Sequence, residues 1–341
     1  MKKVHHYIAN LTIGGGTKYI LDIMKTKNEY EHYLIYRNLD QNYPILEISN
    51  KFTNVNVLKK QHLRNDAIHH FHGYNFYREI LTCRLLNPSA KIILQLHGYI
   101  PSEQKSGIKR VLCRFTEKLC CILSSRVIYL TDSERERNQY KNKKCHIVVT
   151  GIAGPKFQVM LSDEKVPIKF VSLGVKNVFQ KGIDRLFLLS HRMNSEGVYN
   201  ELILYFRGAS KADREAVELL KHVFSAARCQ IRDPSPKVWE EVACGKFHGL
   251  ISLSRFEGLP ISLIEAFQAN MPIYISKSSG HEIFLEKLGA NEVSLEQLLG
   301  IKPPNLKISQ CSRESKNYET EQSIFSQEKM ITHLLSIYRA C

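Results

Sequence analysis

The chain has 341 residues, long for one core, and its 43% hydrophobic and 24% charged residues are the proportions of a globular, two-domain protein. It has no run of about 18 apolar residues, so no spanning helix is expected, and Met1-Lys2-Lys3-Val4-His5-His6-Tyr7 lacks the apolar core of a signal peptide, which predicts a cytosolic location. The formal net charge of +15 is lopsided: residues 1–155 hold 24 Lys+Arg and 12 Asp+Glu, leaving +12, and residues 156–341 carry the other +3.

In chain order, the first half alternates strand and helix patterns. Strands are predicted at residues 3–9, 32–36, 67–71, 91–96, 126–130 and 146–149, and helices at 17–25, 76–86, 109–123 and 132–140. Such alternation implies a parallel, doubly wound sheet, which binds ligands beyond the carboxyl ends of its strands. A boundary is predicted within residues 151–166, where Gly151, Gly154 and Pro155 cluster just ahead of Pro167. The pattern then restarts, with strands at 168–173, 202–206, 229–231, 248–253 and 272–275 and helices at 182–193, 211–224, 238–243, 260–269 and 282–288. Irregular sequence at 302–318 precedes a last amphipathic helix at 322–338. The nine cysteines show no zinc-site spacing and are expected to be free thiols.

The most informative segment is Ser254-Arg255-Phe256-Glu257-Gly258-Leu259-Pro260-Ile261-Ser262-Leu263-Ile264-Glu265-Ala266. An apolar strand precedes it, Gly258 permits a sharp turn, and Pro260 suits a helix start. The helix is expected to stop at Asn270, which tolerates a left-handed cap, ahead of Pro272. A strand-to-helix turn of this kind aims free N–H groups and a helix dipole at a phosphate. Glu257 at its mouth and Glu265 inside the helix suit the hydroxyls flanking that phosphate, as in a nucleotide sugar.

This paired-glutamate segment resembles that of the group 1, or family 4, retaining glycosyltransferases. Further matches fall in the same order: Gly14-Gly15-Gly16, Ile68-His69-His70-Phe71-His72, Leu96-His97-Gly98, Thr131-Asp132-Ser133, Thr150-Gly151-Ile152, Lys181-Gly182-Ile183-Asp184 and Ser279-Gly280-His281-Glu282-Ile283. The resemblance implies a GT-B fold, α/β, with two Rossmann-like doubly wound domains facing a central cleft. Residues 1–155 would bind the acceptor, residues 156–320 the nucleotide sugar, and residues 321–341 would form a helix crossing back to the first domain. It puts Glu265 on the donor ribose and Glu257 on the donor sugar. Backbone at Gly258, Leu259, Pro260 and Ile261 would cap the diphosphate or sugar. Lys181 would neutralise the leaving diphosphate, and Gly15 and Gly16 would let backbone approach it. His97 would lie near the reacting centre, so Glu257, His97 and Lys181 are the catalytic candidates. The family often has an Arg shortly before its Lys-Gly; here Lys176 would substitute, without the bidentate fork.

The implied activity is transfer of a hexose-type sugar, with retention, from a UDP- or GDP-sugar to a glycan or polyprenyl-diphosphate-linked acceptor. The setting would be surface polysaccharide synthesis (O-antigen, capsule or lipopolysaccharide). No cofactor or metal is expected. For His69, His70 and His72 a structural role is favoured, since no carboxylate or cysteine partner is evident. A GT-B epimerase or phosphorylase, or a catalytically inactive nucleotide-sugar-binding partner, stays open. Nucleic acid is set aside, because charge alone suggests it and no recognisable module is present. Residues 106–123 interleave Lys109, Arg110, Arg114 and Lys118 with Val111, Leu112, Phe115 and Leu119. That pattern fits peripheral contact with an anionic membrane at its cytoplasmic face, or an ordinary helix with its apolar side in the core.

Overall fold

The computed structural model describes residues 1–11, 15–39, 54–98, 105–138, 140, 144–152, 167–175, 177–206, 210–233, 238–278, 280–299, 302 and 323–341. The chain divides into two compact units, Met1–Gly151 with Gln327–Cys341, and Ile152–Ser326.

Unit 1 holds a seven-stranded sheet in the order β3-β2-β1-β4-β5-β6-β7, parallel throughout. The strands are β1 Lys2–Leu11, β2 Tyr30–Leu39, β3 Val55–Val57, β4 Ile68–His72, β5 Lys91–Gln95, β6 Arg126–Tyr129 and β7 Cys145–Ile147. Helices α1 Gly15–Lys25, α2 Tyr77–Leu86, α3 Gly107–Leu123 and α4 Asp132–Asn138 connect them. Side chains alternate between two cores. Val4, Leu34, Ile68, Ile93 and Ile128 pack on one face, and Tyr7, Ile35, Phe71, Ile92, Leu94 and Val127 on the other. The first core is closed by the last helix, here α11, Gln327–Arg339, through Met330, Ile331, Leu334, Ile337 and Tyr338. The amphipathic C-terminal segment thus belongs to unit 1, although unit 2 precedes it in sequence.

Unit 2 holds a six-stranded parallel sheet in the order β10-β9-β8-β11-β12-β13. Its strands are β8 Ile168–Val175, β9 Asn200–Phe206, β10 Cys229–Arg232, β11 Gly249–Ser252, β12 Ile273–Ile275 and β13 Asn291–Glu292. Its helices are α5 Ile183–Ser195, α6 Lys211–Val223, α7 Val238–Cys244, α8 Ile261–Gln268, α9 Glu282–Lys287 and α10 Leu295–Leu299. Ser210 and Asp213 start α6 with a reciprocal capping box. Asn270 takes φ 57 after α8, the left-handed stop expected from sequence. Pro260 is the residue before α8 rather than its first helical one, with φ −69 and ψ 115.

In both sheets the strand order reverses once, between β1 and β4 and between β8 and β11. Such switch points are where doubly wound sheets open a crevice beyond their carboxyl ends. The loops there are β1–α1 in unit 1, and β8–α5 with β11–α8 in unit 2. No helix among the described residues is long and apolar enough to cross a membrane.

Candidate functional site

The β8–α5 and β11–α8 loops of unit 2 are locked together by contacts that the sequence dictates. Gly182, at φ 62, begins α5, and a Cβ there would lie 2.0 Å from the Leu253 carbonyl oxygen. Any side chain would force the loops apart, so Gly182 lets Lys181 reach the end of β11. Arg255 completes the fastening. It donates to both carboxylate oxygens of Asp184, at 2.7 and 2.6 Å, and to the Phe179 carbonyl at 2.7 Å. Its guanidinium also lies 4.2 Å from the centre of the Phe179 ring. Burial would raise the Asp184 carboxyl, but the Arg255 hydrogen bonds and charge prevail and hold it below its usual range.

Within this frame Lys181 Nζ sits 2.8 Å from Glu257 Oε1, with the Lys and Glu side chains 22% and 11% exposed. Ser254 donates to the same oxygen at 3.0 Å. A third loop closes on the turn. Gly280 has φ 82, and a Cβ there would meet the Gly258 carbonyl oxygen at 1.9 Å. Backbone at this spot must be glycine both for its dihedral and for the approach. His281 follows, fully buried. Its Nδ1–H donates to the Ser276 carbonyl at 2.9 Å, which leaves Nε2 an acceptor without a partner among the described residues. Burial lowers the His281 pKa, and Glu257 and Lys181 are close enough to pull it in opposite directions. The ring is therefore a neutral hydroxyl acceptor beside an ion pair.

Glu265 stands on α8, where Oε2 accepts the Trp239 indole N–H at 2.9 Å. Leu259 and Pro260 are buried, so what they present is backbone, and Pro260 lacks an N–H. Gly258 and Ile261 are half-buried. Sequence reading missed Trp239, Ser254 and Arg255 and left His281 without a role. The only Trp of the chain, on a short charged helix, was the one available signal.

Unit 1 holds Gly15, Gly16 and His97. Gly15 and Gly16 begin α1, and a Cβ on Gly16 would meet nothing within 4 Å, so the fold itself does not demand that glycine. His97 follows β5, half-buried, with Nε2 3.0 Å from His72 Nδ1. Burial lowers its pKa to about 4. Gly98 next to it has φ 80, and its amide donates to Glu134, which also accepts the Leu130 amide at 2.7 Å. Lys176 and Gly14 lie outside the described residues, as does Ser279. A depression of about 480 Å³ lined by Arg84, Ser124, Ser125, Arg126 and Lys144 opens at the amino ends of β6 and β7. That edge lies opposite the strand ends where ligands of such sheets bind.

No family model matches the sequence, and no curated protein matches it. Solved structures do match, over their whole length. A lipopolysaccharide outer core galactosyltransferase, WaaB, in its apo form aligns with a TM-score of 0.73 over 100% of this chain and 99% of its own, at 13% identity. Sucrose-phosphate synthase from Thermosynechococcus elongatus gives 0.74 over 100% and 99%, at 14%. Anabaena HepE in complex with UDP-glucose gives 0.72 over 100% of both chains, at 11%. The fold is GT-B. In GT-B terms unit 2 carries Lys181, Glu257 and Glu265 at one switch point; in unit 1 the glycine start of α1 lies at the other, and His97 follows β5, one strand beyond β4. At these identities the likeness is one of fold.

Proposed function

We propose that the protein is a retaining glycosyltransferase of the family 4 type. It takes a hexose-type sugar from a UDP- or GDP-sugar and passes it to a glycan or polyprenyl-diphosphate-linked acceptor in surface polysaccharide synthesis. The observation that carries the reading is the Lys181–Glu257 pair at the β8/β11 switch point, with Glu265 one helix further on. Glu265 accepts the ribose hydroxyls, held in place by Trp239. Glu257 and Nε2 of His281, which has no partner among the described residues, accept hydroxyls of the donor sugar. Lys181 gives charge to the departing diphosphate, supported by the first amides of α8, and no metal ion is required. Retention follows from front-face attack, in which the leaving phosphate takes the acceptor proton and the protein contributes position and charge. WaaB and HepE, similar in fold, are named respectively as a galactosyltransferase and as a UDP-glucose complex, which favours a uridine nucleotide.

The acceptor is read to reside in membrane. On α3, Ile108, Val111, Leu112, Phe115 and Ile122 are 59–76% exposed rather than turned into the core. Lys109, Arg110 and Lys118 are exposed on the same helix. An exposed apolar stripe among basic residues suits shallow insertion into an anionic surface, which supports reading the protein as peripheral to the inner face of the cytoplasmic membrane.

The test is calorimetric titration with UDP- and GDP-sugars, followed by product analysis. Glu265→Gln should weaken donor binding about tenfold or more, as expected for a lost bond to a charged group. Glu257→Gln should bind donor and lose turnover. Full activity in both variants overturns the assignment. Donor binding without turnover against lipid-linked acceptors would instead favour the inactive-partner reading.

A further inference from the structure

The centre of the unit 1 sheet is unusual for its imidazoles. His6 on β1 pairs in register with His70 on β4, and His72 lies two residues on, facing the same side. All three are buried, His6 and His70 completely. One ring nitrogen from each lies within 4.8 Å of the others.

Their hydrogen bonds are directional. His6 Nε2 reaches His32 Nδ1 at 3.0 Å, His72 Nδ1 reaches His97 Nε2 at 3.0 Å, and His70 Nδ1 reaches Tyr338 Oη at 2.8 Å. Each outer nitrogen thus has a partner outside the trio. The remaining nitrogens are His6 Nδ1 and His72 Nε2, 3.2 Å apart, and His70 Nε2, which is buried and has no hydrogen-bond partner of good geometry among the described residues. Gln95 on β5 is near enough to raise the His70 pKa, but the hydrogen bonds of good geometry that its amide makes are with Tyr19. In a satisfied polar core His70 Nε2 would not be left over.

We propose that His6 Nδ1, His70 Nε2 and His72 Nε2 bind one divalent transition-metal ion of the zinc type in the core of unit 1. Nitrogens on one tetrahedral zinc stand roughly 3.3 Å apart, given bonds of about 2.0 Å; the His6–His72 spacing already matches. With the ion in place, His6 carries its proton on Nε2 and donates to His32 Nδ1, and His32 donates its own Nε2–H to Asn28 Oδ1 at 3.2 Å. His72 donates to His97 and His70 to Tyr338. Every ligand then has the outer hydrogen bond that orients metal-bound imidazoles. Burial holds His6 and His72 well below the usual histidine pKa and His70 down to about 3, so all three are neutral, the form that binds metal. Imidazole-only donors suit zinc or copper rather than magnesium or calcium, and three of them leave a fourth position to water or hydroxide. The site would tie β1 and β4 to α11 through Tyr338 and fix the ring of His97 through His72. Sequence reading saw His70 and His72 without partners, because His6 lies 64 residues before His70 and only the sheet joins them.

The test uses the full chain, stripped with EDTA, desalted and titrated with zinc sulfate against a chromophoric chelator. One site per chain is expected. His70→Gln should lose at least a hundredfold in affinity, while His222→Gln, at an exposed position on α6, keeps it. His32→Gln and Tyr338→Phe should each weaken binding about 10- to 100-fold through the outer bonds. Cobalt(II) added to stripped wild type should give the intense visible bands of a four-coordinate site, bleached by zinc. Equal zinc affinity in wild type and a folded His70→Gln overturns the proposal. If that variant does not fold, weak six-coordinate cobalt bands in wild type overturn it. Either result leaves the donor-binding test untouched, since the ligands and readout are different.

Discussion

Gly280 and Gly182 hold the candidate site by what they lack. Each has positive φ, and each lets one backbone touch another where a methyl group would lie about 2 Å from a carbonyl oxygen. Gly280→Ala combines left-handed strain with that clash, so the Ser276–Glu282 loop must lift from Gly258. We expect a loss of about 2 kcal/mol or more in stability of unit 2 and a near-complete loss of turnover, read by urea unfolding and by product formation; unchanged activity would separate this loop from the site. Trp239 gives a subtler prediction. Trp239→Phe keeps a ring and removes one N–H bond to a carboxylate, worth about 1.5–3 kcal/mol. Donor Kd should rise roughly tenfold with little change in turnover at saturation. As the sole Trp of the chain it also reports directly, so UDP should change the intrinsic fluorescence of the wild type. At this scale the glutamates and Lys181 were legible because turn chemistry is local. Trp239 was not, because its partner comes from another element: Trp239 and Glu265 are 26 residues apart. Ser254 and His281 have near partners, Glu257 and Ser276, but which way a short side chain turns within a loop leaves no periodic signal in the sequence.

The elements were mostly legible in the hydrophobic period. Every predicted strand and helix has its counterpart, and the ends differ by a few residues, as frayed ends do. Among the described residues the added strands and α-helices are β3, β13 and α10, of three, two and five residues, too short for a period to register. For α3 the period was read but its direction was not. Amphipathicity gives an apolar face without saying what covers it, and here Phe115 and Ile108 face outward, 67% and 76% exposed. This leads to a prediction at the element scale. Phe115→Asp should leave folding intact, since an exposed position tolerates polarity. It should reduce flotation of the full chain with vesicles containing anionic lipid by about tenfold at low salt. Wild type should also release as salt rises, because a basic contact is screened within about 10 Å at 0.1 M. Binding indifferent to both the substitution and salt would remove α3 from the membrane contact.

For the whole molecule, the two-sheet plan follows from the sequence, whereas the inside of unit 1 does not. Alternation told that His70 faces away from His69 but could not tell that His6 and His32 share its side, because strand order is set by tertiary packing. The outcome is a unit whose core is rich in depressed histidines. Burial holds His5, His32, His69 and His97 at about 4 and His70 at about 3, with His6 and His72 well below normal; all are in unit 1. Among the described residues, unit 2 has one such ring, His281. A histidine with a folded pKa below its unfolded 6.5 leaves the unfolded chain to bind protons first. Stability is therefore complete above pH 6.5 and declines as pH falls from 6.5 towards 4. One group moved from 6.5 to about 4 is worth up to about 3 kcal/mol, and coupling between neighbours makes the sum less than additive. In EDTA, unit 1 should accordingly fail in acid before unit 2. Since Trp239 reports only on unit 2, far-UV circular dichroism should begin to fall between pH 6 and pH 4, at roughly the window those pKa values set, while Trp fluorescence is still native. Zinc should delay the first transition and leave the second in place, because protons and the ion compete for the same nitrogens. Coincident transitions, or a first loss seen by Trp239, would show that the buried imidazoles do not govern the acid limit of this fold.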